Sequence, residues 1–221
     1  MLETSLIILI WTAISIGFIH TLIGPDHYLP FIVISKARNW SIPKTLMITI
    51  ACGIGHVFSS VLIGIIGIVA GAALGNLVSI EKVRGDIASD ALIAIGLIYG
   101  IWGLWRARRG HVHKHSPGGK HLDGSSARSV TFWALFIVFV LGPCEPLIPL
   151  VMFPAVEHNW HGVALVTLSF GLVTIATMST IVFLAIKGLA VLRVSFLDNY
   201  IHALAGGIIA LSGFSIRLFG L

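Results

Sequence analysis

Three histidines and two carboxylates stand where an apolar chain tolerates them least. His20 is followed by Asp26 and His27 in HTLIGPDH, His56 lies in GIGHVFSS, and Glu145 follows Cys144 in GPCEP. Neutral imidazole with carboxylate is the donor set of a borderline divalent cation such as Ni²⁺, Co²⁺ or Zn²⁺. The same groups also relay protons. His20 and His27 are seven residues apart, which on an uninterrupted helix places both on one face. Ser59 and Ser60 follow His56 along its own face. Glu145 is equally placed to cap a half-helix, and Cys144 is either a soft metal ligand or a small buried residue. The candidate metal-ligating set is therefore His20, Asp26, His27, His56, Glu145 and Cys144.

The elements that must hold these groups are membrane helices. Of 221 residues, 57% are apolar and 10% are charged, against about 25% charged in soluble domains. Six apolar stretches are long enough to span, at 5–24, 45–74, 88–105, 132–154, 163–186 and 201–218. The first and fourth are interrupted at Gly24-Pro25 and Gly142-Pro143, because proline lacks an N–H and clashes with the carbonyl four residues back. Broken backbone at membrane depth survives only inside protein or beside a wet cavity, where its freed ends serve an ion or substrate. Ionisable groups at such a break mark function by default. Glycines at four-residue steps (Gly67, Gly71 and Gly75; Gly96 and Gly100) permit close helix approach.

The basic excess lies between apolar runs, so it reads as membrane topology and excludes a nucleic-acid partner. Eleven of the 14 Lys and Arg fall on one side of a six-span chain, with only Lys82, Arg84 and Arg217 on the other. The richer side is expected to be cytoplasmic and both termini outside, in the cytoplasmic (inner) membrane. Cys52 and Cys144 both lie in apolar runs and imply no disulfide scaffold. The N-terminus lacks a positive n-region and cleavage site, so 5–24 is expected to stay as a span.

At a shift of 118 residues, GPDHYLPF lies over GPCEPLIP, Gly53 over Gly171 and Thr49 over Thr167, and Asn-Trp recurs at 39–40 and 159–160. Three spans per unit turn the second copy upside down, the inverted-repeat plan of many transporters. The expected fold is an all-α membrane protein with one transmembrane domain, 1–221. Repeat one covers about 1–106, a cytoplasmic His-rich loop about 107–129, and repeat two about 130–221. In that loop, His111, His113, His115 and His121 give a compositional metal signal, although a solvated basic loop explains them equally well. His158, His161 and His202 are weaker candidates.

His20-Thr-Leu-Ile-Gly-Pro-Asp-His27 with Gly55-His56 resembles the nickel/cobalt transporter family, its short urease-accessory-type permease branch. That resemblance implies Ni²⁺ or Co²⁺ movement, with His20, Asp26, His27 and His56 in the metal path. Five residues separate His20 from Asp26, where the better-known permeases have four. GPCEP is similar to the proline-flanked cysteine of cytochrome-assembly thiol–disulfide electron carriers, which share a three-plus-three inverted plan. Those carriers need a cysteine at each matching break, whereas Cys144 aligns here with Asp26, and Cys52 with Phe170.

The leading expectation is a secondary permease for a divalent metal, Ni or Co, working through a midplane His/Asp/Glu site. It is not an enzyme, carries no prosthetic group, and has the ion as cargo. Partners are the lipid bilayer and the metal ion; a cytoplasmic metallochaperone and a second copy of the chain also fit. Alternatives are a sulfite or organic-anion exporter, disfavoured because essentially no Lys or Arg lies within the spans away from their ends, and the thiol–disulfide membrane electron carrier. No P-loop is present.

Overall fold

A computed structural model describes residues 2–71, 74–109, 124–191 and 200–219. The His-rich loop, with His111, His113, His115 and His121, lies outside the described residues. Among the described residues there are helices and no strands: α1 (Leu2–Ile23), α2 (Leu29–Ala37), α3 (Ile42–Val69), α4 (Leu74–Arg108), α5 (Gly124–Leu141), α6 (Leu147–Val156), α7 (Trp160–Val191) and α8 (Ile201–Phe219). The protein is an all-α membrane protein. Among the described residues, five helices are long and apolar enough to cross a bilayer, while Phe132–Leu141 and Leu147–Val156 are shorter apolar pieces.

Proline sets the punctuation. Pro25 opens a single 3₁₀ turn, Pro25–His27, between α1 and α2, and Pro43 sits in the first turn of α3, where a missing N–H costs nothing. Pro143 and Pro146 hold the chain non-helical between α5 and α6. The two post-break helices end alike. Asn39 and His158 each take a positive φ, 50° and 56°. Trp40 N–H then donates to Ser35 and Asn159 N–H to Pro154, each at 2.9 Å.

The expected third span, 88–105, is too short. α4 runs 35 residues, about 52 Å at 1.5 Å per residue, and takes in Glu81, Lys82, Arg84 and Asp86, which precede the expected span. Its buried stripe (Leu77, Glu81, Gly85, Ala88, Leu92, Gly96, Gly100 and Gly103) keeps helical period.

α4 packs most extensively on α8, α1 on α7, and α3 on both α5 and α7. Two apolar clusters form the core. One joins Phe31, Cys52, Phe139, Met178 and Ile209; the other joins Ala13, Val57, Cys144, Leu147 and Phe170. Trp11, Met47, Val69 and Leu172 point outward, as lipid-facing side chains do.

Candidate functional site

The sequence places His20 in the last turn of α1, His27 in the 3₁₀ turn and His56 in mid-α3. They do not meet by sharing a helical face. The helix stops at Gly24, and the 3₁₀ turn folds His27 back on His20, with ring centroids 4.9 Å apart and planes at 82°. His56 arrives from α3, 5.2 Å from His27 at 83°. One ligand atom from each ring lies within 4.8 Å of the others. His27 and His56 are 2% and 3% exposed, and Phe170 closes the His20 side.

The outer nitrogens of His27 and His56 are anchored. His56 Nδ1 lies 3.1 Å from the Phe139 carbonyl, and His27 Nδ1 lies 3.2 Å from both the Gly24 carbonyl and Asp26 Oδ1. A carbonyl only accepts, so Nδ1 carries a proton in both rings, and in the neutral imidazole Nε2 then keeps its lone pair. The Nε2 atoms of His20, His27 and His56 are all buried without a partner. Three such lone pairs can take a cation or pass a proton.

The break glycines make room for these rings. A Cβ at Gly24 would stand 2.6 Å from His27 Nδ1, and one at Gly142 would stand 3.2 Å from His56 Nδ1. Gly24→Ala is therefore expected to lower unfolding free energy by about 1–3 kcal/mol. Gly75, whose Cβ would meet open space, is the control: Gly75→Ala should be neutral or slightly stabilising. Denaturant titration in detergent compares them.

The second break carries a centre that sequence reasoning missed. Glu81 is fully buried and pairs with Arg84 one turn on. Glu81 Oε2 accepts from Ser60 Oγ at 3.1 Å and from the Cys144 backbone N–H at 2.9 Å. Arg84 donates to Ser59 Oγ at 2.7 Å and to the Val140 and Gly142 carbonyls at 2.6 and 3.3 Å. Backbone groups freed by Pro143 are thus satisfied by one carboxylate and one guanidinium. The expectation that no Arg lies inside a span is corrected by Arg84.

Of the predicted ligands, His20, His27 and His56 come together, and Asp26 supports His27. Cys144 is buried, held by its backbone beside Glu81. Glu145 is exposed and lines a cavity of about 630 Å³ with Lys82, Asp86 and Arg217. His20 and Gly24 also line that cavity, so it borders the histidine cluster at His20. His202 is engaged elsewhere, with Nδ1 2.8 Å from the Tyr99 hydroxyl, and His158 and His161 are exposed beside α7.

Fold and site define a multi-pass, all-α membrane protein whose buried polar groups collect at two broken helices. The chain belongs to the family described as cytochrome C biogenesis protein transmembrane region, whose model matches residues 29–215. No curated protein and no solved structure matches it.

This membership overturns the resemblance to nickel/cobalt transporters, and with it the secondary-permease reading for Ni or Co. The physical reason is that a His, Asp-His and His series at a helix break specifies a donor set, and donor sets recur on unrelated chains. Few residues carried that resemblance, while the family match runs through every helix from α2 to α8. His20, Asp26 and His27 precede the matched segment; His56, Cys144 and Cys52 lie within it.

Proposed function

We propose that the chain carries reducing equivalents across the cytoplasmic membrane for cytochrome c biogenesis, using Cys144 and Cys52 as its thiol pair. The observation that carries this reading is the family match over 29–215, which encloses both cysteines. Cys144 follows Pro143 at a helix break, in the proline-flanked GPCEP stretch that resembles the cysteine motif of such carriers. A dithiol on one side reduces the Cys52–Cys144 disulfide and is itself oxidised. The two thiols then reduce a disulfide on the other side, with two electrons and two protons passing at each exchange.

Both thiols are free in this conformation. Cys52 lies eight residues before Ser60 on α3, about 12 Å along the axis, while Ser60 and the Cys144 N–H share one Glu81 oxygen. A disulfide needs Cα atoms within about 7 Å, so the cycle requires the broken α5–α6 segment to slide along α3.

The finer topology belongs to the same proposal. Six spans form two inverted three-helix units, α1/α2–α3–α4 and α5/α6–α7–α8. The two Gly-Pro breaks, each opening a unit and each cradling a histidine ring, support it, as do the matching ends of α2 and α6. Both termini face outward and the His-rich loop faces the cytoplasm, in line with the Lys and Arg bias.

Acid-trapped membranes, denatured and alkylated with a mass-tagged maleimide, test the thiol cycle. Wild type is expected to show a fraction protected from alkylation that reductant removes. Cys144→Ser and Cys52→Ser should each abolish it and lower haem-bearing cytochrome c at least ten-fold. Full alkylation of wild type after oxidant, with cytochrome c unchanged in the double variant, would sink the reading.

A further inference from the structure

We propose that His20, His27 and His56 bind one first-row transition-metal ion from the Cu²⁺–Zn²⁺ end of the series, held as a resident ion at the first helix break. The inference does not rest on the thiol cycle. It rests on three buried Nε2 atoms without partners, on rings from three separate elements whose ligand atoms lie within 4.8 Å of one another, and on the tautomers imposed from behind on His27 and His56.

A buried polar atom without a partner is costly, and here three belong to one cluster of rings. Three rings from separate elements leave these nitrogens unpartnered in one small cluster, with ligand atoms within 4.8 Å of one another. Hydrogen bonding among the three does not resolve it. With Nδ1–H committed to Phe139 O in His56 and to Gly24 O and Asp26 Oδ1 in His27, those two Nε2 atoms are acceptors in the neutral rings and cannot donate to each other. A cation accepts all three lone pairs at once. Ring nitrogens bound at about 2.0–2.1 Å from one ion stand about 3.4 Å apart, so binding draws the rings inward.

The support shell is that of a metal centre. A ligating histidine donates its other N–H to a carboxylate or carbonyl, which fixes ring and tautomer; Asp26 does this for His27 and Phe139 for His56. Asp26 also brings a negative charge against a dication in a dry setting. Three imidazoles with no thiolate or thioether among them suit Cu²⁺ and Zn²⁺, the tight-binding end of the first-row order. The cavity bordered by His20 gives the ion its entry and leaves an open side for a fourth ligand.

The test uses full-length protein in detergent, stripped with chelator, with His111, His113, His115 and His121 replaced by Gln so that loop binding does not contribute. Equilibrium dialysis against Zn²⁺ or Cu²⁺ with elemental mass spectrometry should give one ion per chain, and X-ray absorption should show three imidazole nitrogens. His27→Gln and His56→Gln should each weaken binding at least 100-fold. Asp26→Asn should weaken it 10–100-fold with stoichiometry kept. Cys52→Ser/Cys144→Ser should bind as wild type, which separates failure of this site from failure of the thiol cycle. Melting curves of the metal-free variants establish that each is folded. No bound ion in wild type, an ion that survives replacement of all three histidines, or an ion lost with the cysteines overturns the proposal.

Discussion

Arg84→Met is expected to lower the unfolding free energy by about 3–5 kcal/mol, the cost of leaving a buried carboxylate uncompensated. Glu81 has no exposed surface and Arg84 very little. The sharper expectation concerns the double variant. An isolated buried ion pair replaced on both sides by apolar groups is often neutral or stabilising. Here the double Glu81→Leu/Arg84→Met should remain destabilised, because the pair also satisfies the Cys144 N–H and the Val140 and Gly142 carbonyls. Each freed backbone group adds about 1–3 kcal/mol. Denaturant titration of wild type, both singles and the double in one detergent decides it. Recovery of the double to within about 1 kcal/mol of wild type would mean that the pair does not hold the break.

The two centres differ in how readily the sequence discloses them. Imidazoles beside Gly24-Pro25 stand out because any ionisable group at a membrane break calls for a reason. The route by which they meet does not stand out, since the seven-residue spacing predicts a shared face on a continuous helix. The chain instead uses a 3₁₀ turn to bring His27 onto His20. Glu81 and Arg84 were hidden by the habit of assigning clustered charge to loops. A signal was available: Leu77, Glu81, Gly85, Ala88 and Leu92 recur at helical period, and a carboxylate on such a stripe with Arg three residues on reads as a buried i,i+3 pair.

Family membership was legible only in outline. GPCEP pointed toward cytochrome-assembly carriers, and the histidine series pointed to metal transporters with more chemical force. Side-chain chemistry at a site weighs heavily in a reader's judgement, but family is carried by the whole pattern of helices, breaks and packing surfaces. Glu145 illustrates the same limit. One residue separates it from the break, yet its side chain lines the cavity with Lys82 and Asp86 and stays out of the histidine cluster, because the direction a residue takes in non-helical backbone has no period to read.

Gly206→Ala is expected to cost at least about 3 kcal/mol, at the upper end of overpacking penalties, and Gly206→Leu to leave no folded protein in the membrane. The spacing of Gly96 and Gly100 announces a close helix contact; its partner surface on α8 became visible only in the structure. A Cβ at Gly206 would stand 2.2 Å from Gly100 N, 2.4 Å from Gly100 Cα and 2.6 Å from Gly96 O. All three are backbone atoms of α4, so no rotamer change relieves the clash and the helices must separate. Lipid tails are as apolar as the side chains they would replace, so the pair is held by close packing, and separation forfeits it along the α4–α8 contact. Gly103 repeats the constraint, its Cβ falling 2.4 Å from Ala203 N. Gly207 supplies the control one residue away, where a Cβ would meet nothing within 4 Å. Gly207→Ala should fall within about 0.5 kcal/mol of wild type, or gain slightly from helix propensity. Folded yield after detergent extraction, followed by denaturant titration, separates the two. If Gly206→Ala and Gly207→Ala behave alike, the α4–α8 contact is not set by glycine.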